Sequence, residues 1–135
     1  MSFAVERRVR FAHVDAAGIV YFPRLWEMID GAVEDWSRGT LGAGRGATHL
    51  DRRLGTPVVD TRARFLRPSR LDDLLRLEVR VAALGRSSLD LFVAGSCGGE
   101  PRFEAELRQV LVDLAAMRAT PWPDDWRAAI MPGSA

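Results

Sequence analysis

One segment of the chain, residues 25–36, carries a strongly amphipathic helical pattern. Its apolar residues recur at steps of three and four residues, and charged residues occupy the opposite side; the apolar set is Leu25, Met28, Ile29, Ala32, Val33 and Trp36. Pro23 suits the first position of a helix because its missing N–H needs no partner there, and Gly39 is placed to end the helix. The pattern predicts a helix that starts near Pro23, ends at Gly39 and buries one face.

Runs with a repeat of two residues lie on both sides of this helix. Apolar residues alternate with polar or charged ones over residues 5–11, 59–65, 75–81 and 89–93, which is typical of strands. Pro68, Gly85 and the segment SCGGEP separate the later runs. The glycine-rich residues 39–46 are predicted to form a loop, with a short helical turn near residues 49–54. The chain is therefore predicted to contain at least four strands besides the helix.

Residues 103–117 fit two structures. Periodicity alone favours a helix, because the apolar residues are spaced as on one helix face: Phe103, Leu107, Val110, Leu111, Leu114 and Met117. The β-branched segment QVLVDL, which follows a glycine-rich turn, allows a fifth strand paired as a hairpin with the fourth. The tail around Trp126 is predicted to form a final short helix after a proline-bounded turn.

Size and composition indicate one compact unit. With 135 residues, 47% of them hydrophobic and 27% charged, the chain is predicted to form a single globular domain over residues 1–135. The single cysteine, Cys97, cannot form an internal disulfide or a cysteine-based zinc site, and a reducing cytoplasm is the expected compartment. His13, Asp15, His49 and Cys97 are too scattered to match a zinc pattern, so no metal is expected.

The charge balance and the lack of a long apolar segment argue against two classes of partner, nucleic acids and membranes. The 19 basic residues, all of them arginine, nearly cancel 18 acidic residues, and a nucleic-acid binder would show a surplus of positive charge. The charged start MSFAVERRVRF does not resemble a signal peptide, and no segment approaches the ~20 apolar residues that span a bilayer. Neither nucleic acid nor a membrane is expected as a partner.

Two blocks of sequence carry a family resemblance. The segment FAHVDAAGIVYFPRLW, with Asp15, two small residues, Gly18 and then a helix, resembles the signature of hotdog-fold acyl-CoA thioesterases of the 4-hydroxybenzoyl-CoA thioesterase type. The segment GTPVVDTRARFLRPSRLDDLLRLEVRVAALGRSS is similar to the second and third strands of that family with the turn after them. The resemblance implies an α+β hotdog fold, a five-stranded antiparallel sheet wrapped around one long central helix, and so makes QVLVDL the last strand.

Hydrolysis of a thioester requires a base or nucleophile at the carbonyl carbon and donors that stabilise the developing negative oxygen. Asp15 is able to supply the first, and the free amides at the start of the helix, near Tyr21 and Phe22, are able to supply the second. Gly18 lets the backbone approach a ligand closely. The resemblance implies the backbone N–H of Phe22 as the oxyanion donor, with Asp15 as nucleophile or as base for water. The competing interpretation makes Asp15 an ordinary turn or helix-capping residue.

His13 lies two residues before Asp15, where relatives often carry an acidic residue. If both lie on one strand face, they are able to pair as a His–Asp unit, although a lone histidine on a strand is more often packed or solvated. His13 is therefore a secondary candidate for the site.

The resemblance also implies substrate-binding residues. Tyr21 lies at the helix start, and Asp30 and Thr56 match positions that contact the aromatic acyl group, with Asp30 accepting a hydrogen bond from a ring hydroxyl. The alternative places Asp30 on the solvated helix face. Arg86, in the turn GRSS, matches one position of a basic cluster that binds coenzyme A phosphates, although Gly85 and Ser87 stand where relatives carry further basic residues. Other arginines, Arg67 and Arg70, are able to share that role.

These residues predict an acyl-CoA thioesterase that converts a small, aromatic, 4-hydroxybenzoyl-like acyl-CoA to the free acid and coenzyme A. No cofactor is expected, since coenzyme A belongs to the substrate. A homodimer or homotetramer is expected because a sheet wrapped around one helix leaves a strand edge free to pair with another copy. Two alternatives remain: a hotdog hydratase or dehydratase that uses His13 and Asp15 on an acyl-CoA double bond, or a non-catalytic acyl-binding subunit.

Overall fold

The computed structural model describes residues 2–131. In chain order the elements are β1 (Ser2–Arg8), a 3-10 turn (Phe11–His13), α1 (Phe22–Leu41), α2 (Arg45–Leu50), β2 (Leu54–Gly55), β3 (Val58–Phe65), β4 (Leu74–Leu84), β5 (Ser88–Cys97), β6 (Glu100–Val110), β7 (Val112–Asp113), β8 (Arg118–Ala119) and α3 (Asp124–Ile130). Five of the strands form one antiparallel sheet in the order β1-β4-β5-β6-β3, and three short strands form a second sheet in the order β2-β7-β8. A five-stranded sheet against one long helix is the hotdog arrangement expected from the sequence.

The core lies between α1 and one face of the large sheet. All six apolar positions of the predicted helix are buried. They pack against alternate residues of three strands, so the repeat of two places one side of each strand in the core: Leu75, Leu77 and Val79 of β4, Leu89, Leu91 and Val93 of β5, and Phe103, Ala105 and Leu107 of β6. Trp36 is buried and Trp26 packs against this core, as expected from their spacing on the helix.

The first strand differs from its prediction. The predicted run covered residues 5–11, but β1 ends at Arg8 and residues 11–13 form a 3-10 turn. The backbone groups of Val9 pair instead with the loop before β4, through Asp73 O at 2.8 Å and Asp72 N at 2.9 Å. Phe11, which continues the apolar alternation, is 83% exposed. The alternation is therefore no guide to structure beyond Val9.

The long helix also ends later than predicted. It runs through Gly39 to Leu41, and Gly42 ends it with a left-handed φ of 72° and an amide that bonds to Arg38 O at 3.1 Å. A glycine ends a helix when it adopts this conformation, and Gly39 does not. The short helical turn predicted near residues 49–54 lies earlier in the chain, because the second helix covers Arg45–Leu50.

The ambiguous segment is a strand, as the resemblance implied. Gly98 and Gly99, both with positive φ, form the turn between β5 and β6. Most of this strand precedes the predicted segment QVLVDL. β6 ends at Val110, and Val112–Asp113 pairs with β2 in the small sheet. The last helix, α3, is confirmed at Asp124–Ile130. Among the helices of residues 2–131, none combines the length and apolar character needed to cross a membrane.

Candidate functional site

The loop before α1 presents Asp15 at the surface. Asp15 Oδ1 accepts a hydrogen bond from Ala17 N at 2.8 Å, and Asp15 O accepts one from Gly18 N at 2.9 Å. Gly18 has a φ of 81°, a left-handed conformation that favours glycine. Asp15 does behave as a turn residue, but only one of its carboxylate oxygens is used in the turn. Oδ2 has no hydrogen-bond partner within residues 2–131.

The same loop is tied to the segment between β3 and β4. Val20 N donates to Ser69 O at 2.8 Å, and Ile19 forms an isolated bridge with Arg70. That segment is in turn held by Arg102 of β6, whose Nη1 donates to Pro68 O at 3.1 Å and to Asp73 Oδ2 at 2.7 Å. The large sheet thereby fixes the position of the loop that carries Asp15.

The start of α1 leaves one amide free. Tyr21 N donates to His13 O at 2.9 Å, and Arg24 N and Leu25 N both donate to Tyr21 O. Pro23 has no N–H. The amide of Phe22 has no hydrogen-bond partner in the described part of the chain. It lies at the positive end of a 20-residue helix, where an anionic oxygen is stabilised.

Asp15, Tyr21 and Phe22 line one groove of about 490 Å³, which we call the Asp15 groove. Phe65 and Leu66, at the end of β3, also line it. All five residues are exposed. A carboxylate and a free helix-start amide therefore share one apolar groove, as hydrolysis of a thioester requires.

His13 is not paired with Asp15. It lies in the 3-10 turn, and its ring Nδ1 accepts a hydrogen bond from Arg10 N at 2.9 Å. The expectation of a shared strand face is wrong because the chain leaves the sheet at Arg8, so the repeat of two no longer applies. His13 contributes its carbonyl to the helix start instead.

Asp30 and Thr56 meet in a second groove of about 360 Å³, which we call the Asp30 groove. Arg45 of α2 donates to both carboxylate oxygens of Asp30 at 2.9 Å, and it also lies 3.5 Å from Glu34. These contacts, led by the hydrogen bond that Arg45 donates to Asp30, raise the pKa of Arg45 above its ordinary value. Asp30 is thus an exposed residue of α1 that lines a groove and is held there by an arginine.

Arg86 lies at the other end of the molecule from Asp15. It occupies the exposed turn between β4 and β5, and its carbonyl accepts Trp122 N at 3.0 Å. The strand register places this turn, with Ser88 opposite Val110, at the end of the sheet where β3 begins. The Asp15 groove lies where β3 ends. Within one chain, Arg86 and Thr56 therefore do not meet Asp15, whereas Arg67 lines the Asp15 groove.

Sequence reasoning missed three residues of this region. Arg45 and His49 both line the Asp30 groove, and Arg102 anchors the loop beside Asp15. The spacing of four residues between Arg45 and His49 is a helical signal, but it lies next to a glycine-rich stretch that indicates a loop. For Arg102 no local signal exists. Within residues 2–131, no three His, Cys, Asp or Glu side chains group closely enough to hold a metal ion.

Comparison with known proteins places this architecture in a family. The family model described as the thioesterase-like superfamily matches residues 9–130. The 1,4-dihydroxy-2-naphthoyl-CoA hydrolase of Thermosynechococcus vestitus is 30% identical over 120 residues, which cover 88% of this chain and 82% of that protein.

Two solved structures share the fold over almost the whole chain. A thioesterase-superfamily protein from Jannaschia sp. superposes with a TM-score of 0.91 and 26% identity, covering 97% of this chain and 92% of that one. The 4-hydroxybenzoyl-CoA thioesterase of Pseudomonas sp. superposes with a TM-score of 0.84 and 26% identity, covering 95% and 98%. The hotdog fold and the family inferred from the sequence are both confirmed, and the chain belongs to the thioesterase-like superfamily.

Proposed function

We propose that this protein hydrolyses the thioester of a hydroxylated aromatic acyl-CoA, using Asp15 and the Phe22 amide, and that it works as a homodimer. Thioester hydrolysis is the reaction of its family. The observation that carries the assignment of residues is the presence of the free Phe22 amide and the half-used Asp15 carboxylate in one groove.

The thioester carbonyl oxygen accepts a hydrogen bond from Phe22 N–H, which stabilises the negative charge that forms in the transition state. Asp15 Oδ2 either attacks the carbonyl carbon or removes a proton from a water that attacks it. The tetrahedral intermediate then collapses, the C–S bond breaks, and the sulfur leaves as the thiolate of coenzyme A. In the water route the proton on Asp15 passes to the thiolate. In the nucleophile route water hydrolyses the resulting anhydride and restores Asp15.

The aromatic acyl group is supported by the relatives and by the Asp30 groove. The relatives named above act on a dihydroxynaphthoyl and a hydroxybenzoyl thioester. The Asp30 groove combines apolar walls, Pro57, Val58 and Leu114 among them, with the polar side chains of Asp30 and Thr56. An apolar groove with a few polar groups suits a ring that carries a hydroxyl.

The homodimer is supported by the exposed edge strand. In β3, Thr61, Ala63 and Phe65 face the same side of the sheet as the buried β6 residues opposite them, but Thr61 and Phe65 are exposed and only Ala63 is half-buried. Phe65 is 52% exposed. An edge strand with an uncovered apolar face favours pairing with a second copy.

Antiparallel pairing of β3 with its copy across a twofold axis brings the end of one strand beside the start of the other. Phe65 then lies beside the partner subunit's Val58. The Asp15 groove of one chain and the Asp30 groove of the other become neighbours, and Arg86 approaches the same site. In this arrangement Asp15 and Phe22 come from one chain, while Asp30, Thr56 and the phosphate-binding Arg86 come from the second.

A thiol-release assay tests the proposal. The wild-type protein is incubated with benzoyl-CoA, 4-hydroxybenzoyl-CoA, their naphthoyl counterparts, a set of aliphatic acyl-CoAs and one enoyl-CoA; free thiol is measured for all of them, and loss of the double-bond absorbance for the enoyl-CoA. We expect release from the aromatic thioesters, fastest from the hydroxylated ones. Hydration of an enoyl-CoA without thiol release would instead support the hydratase alternative, and binding without either reaction would support an acyl-binding subunit.

A further inference from the structure

His49 of α2 presents one ring nitrogen without a partner to the Asp30 groove. Its Nδ1 lies 2.7 Å from the carbonyl oxygen of Arg45 and 3.3 Å from Thr48 Oγ1, a hydroxyl that donates its own proton to the same carbonyl. A carbonyl oxygen only accepts hydrogen bonds, so Nδ1 carries the proton and donates it. In the neutral imidazole the proton-free nitrogen is then Nε2, which acts as an acceptor.

His49 Nε2 lies beside Gly55, at the lining of the groove. His49 lines the groove together with Gly55 and Leu114. Gly55 lies so close that a Cβ built on it would be 3.5 Å from His49 Nε2 and 2.9 Å from Leu114 Cδ2. Nε2 makes no hydrogen bond with any described residue. A locked tautomer with a free acceptor therefore faces space that a ligand is able to occupy.

A second acceptor that lines the groove, the Asp30 carboxylate, is already engaged by an arginine. Both oxygens of Asp30 accept hydrogen bonds from Arg45, in the bidentate geometry that arginine favours with carboxylates. Arg45 thus has two effects: its guanidinium holds Asp30, and its carbonyl sets the tautomer of His49. Of these two acceptors, His49 Nε2 is the one without a protein donor.

We propose that His49 Nε2 accepts a hydrogen bond from a ring hydroxyl of the aromatic acyl group and so determines the preference for hydroxylated substrates. This inference rests on the proposed function, because it assigns the acyl ring to the Asp30 groove. A site built around a hydroxyl discriminates strongly against the analogue that lacks it, since the acceptor is then left without a donor.

Two substitutions at His49 separate the roles of its nitrogens. The amide of His49→Asn reaches about as far as Nδ1, so it preserves the contact with the Arg45 carbonyl but removes the acceptor from the groove. His49→Gln extends to the position of Nε2 and restores an acceptor there. Leu50→Ala, on the same helix at a side chain that is 74% exposed, is the matched control.

Binding of non-hydrolysable thioethers tests the inference without requiring turnover. Isothermal titration calorimetry compares 4-hydroxyphenacyl-CoA with phenacyl-CoA, and a hydroxynaphthyl analogue with its naphthyl parent. We expect the wild type and Leu50→Ala to bind the hydroxylated member of at least one pair about ten-fold more tightly. The preference should disappear in His49→Asn and largely return in His49→Gln.

The outcomes distinguish this inference from the proposed function. A wild type without hydroxyl preference, or a His49→Asn variant that keeps the full preference, overturns the role of His49 even if the protein hydrolyses aromatic thioesters. A preference that depends on His49 in a protein that releases no thiol supports the binding role and removes the hydrolytic function. A thermal melt of each variant identifies any loss of folding. If His49→Asn is unfolded, the comparison of His49→Gln with the wild type tests the inference.

Discussion

Arg102 and Asp73, 29 residues apart, form a hydrogen-bonded ion pair of 2.7 Å that joins β6 to the loop before β4. The Asp73 carboxylate also accepts Arg70 N at 2.9 Å. The backbone hydrogen bond from Arg70 and the side-chain hydrogen bond from Arg102 lower the pKa of Asp73 below its ordinary value. The carbonyl of Ser69 in this loop accepts a hydrogen bond from Val20 N. The Arg102–Asp73 pair therefore also supports the segment that carries Asp15.

The Asp73 pair predicts an acid-sensitive contribution to stability. A carboxyl whose pKa is lowered by folding stabilises the protein above its unfolded pKa, and that stabilisation is lost as the pH falls through the lower pKa of the folded state. Arg102→Gln should lower the free energy of unfolding at neutral pH by about 1–3 kcal/mol. The loss should shrink below about pH 4, where Asp73 begins to be protonated in the unfolded chain. Urea denaturation over this pH range measures both effects.

The matched control is Arg62→Gln, which breaks an exposed ion pair with Glu106 on the outer face of the sheet. Exposed pairs contribute little to stability, so this variant should unfold like the wild type. Equal losses in both variants would show that the Arg102 contact has no special role.

Asp15→Asn tests the proposed base or nucleophile. The amide has nearly the same shape and is able to keep the contact with Ala17 N, but it neither attacks as an anion nor accepts a proton. We expect normal folding and acyl-CoA binding with kcat reduced at least ~100-fold. Thiol release and a thermal melt measure the two properties. A variant that melts normally and hydrolyses its best thioester at close to the wild-type rate would reduce Asp15 to a turn residue.

Phe22→Pro tests the proposed oxyanion donor. Proline is accepted at the first position of a helix, and Tyr21 before it already has an extended ψ of 126°. The substitution removes the Phe22 N–H, so kcat should fall about 100- to 1,000-fold. Phe22→Ala is the control, because it removes the ring and keeps the amide, and its kcat should fall much less. If both variants lose the same activity, the ring rather than the amide matters.

Asp30→Ala tests recognition of the acyl group. It should lower kcat/KM for a hydroxylated aroyl-CoA more than for the unhydroxylated analogue. The substitution removes the carboxylate from the groove and releases Arg45, the residue whose carbonyl contacts His49 Nδ1. Glu27→Ala, on the same helix and paired only with Arg24 among the described residues, should leave both substrates unaffected. Equal losses for the two substrates would show that Asp30 has no role in recognising the hydroxyl and is an ordinary residue of the solvated helix face.

Thr61→Glu tests the proposed dimer. Thr61 lies near the middle of β3, so antiparallel pairing about a twofold axis places the two copies of the new carboxylate close together, where they repel. The wild type should sediment at micromolar concentration as a dimer or larger species, and Thr61→Glu as a monomer without thiol release. Thr61→Val should remain assembled. A monomeric, active wild type would contradict the proposed two-chain site.

The sequence by itself determined most of the secondary-structure elements and identified Asp15 as the candidate catalytic residue. The six buried positions of α1 and the alternation in β4 and β5 are local periodicities, and burial of one face follows from them directly. The same alternation in β3 predicts the strand but not its burial, because α1 leaves the apolar face of β3 exposed. Asp15, Gly18 and Pro23 form a local motif, so a family resemblance is able to locate them. The last strand needed that resemblance, because the periodicity of residues 103–117 also fits a helix.

Only the tertiary structure decided which residues meet. His13 is separated from Asp15 because Val9 pairs with the loop around Asp73 and takes the chain out of the sheet. Arg45 reaches Asp30 across 15 residues, and Arg102 reaches Asp73 across 29. Thr56 and Asp15 lie at opposite ends of β3, a relation set by strand register. Periodicity reports which face of an element is buried, whereas the partner of each side chain depends on how distant elements pack, and no local pattern encodes that packing.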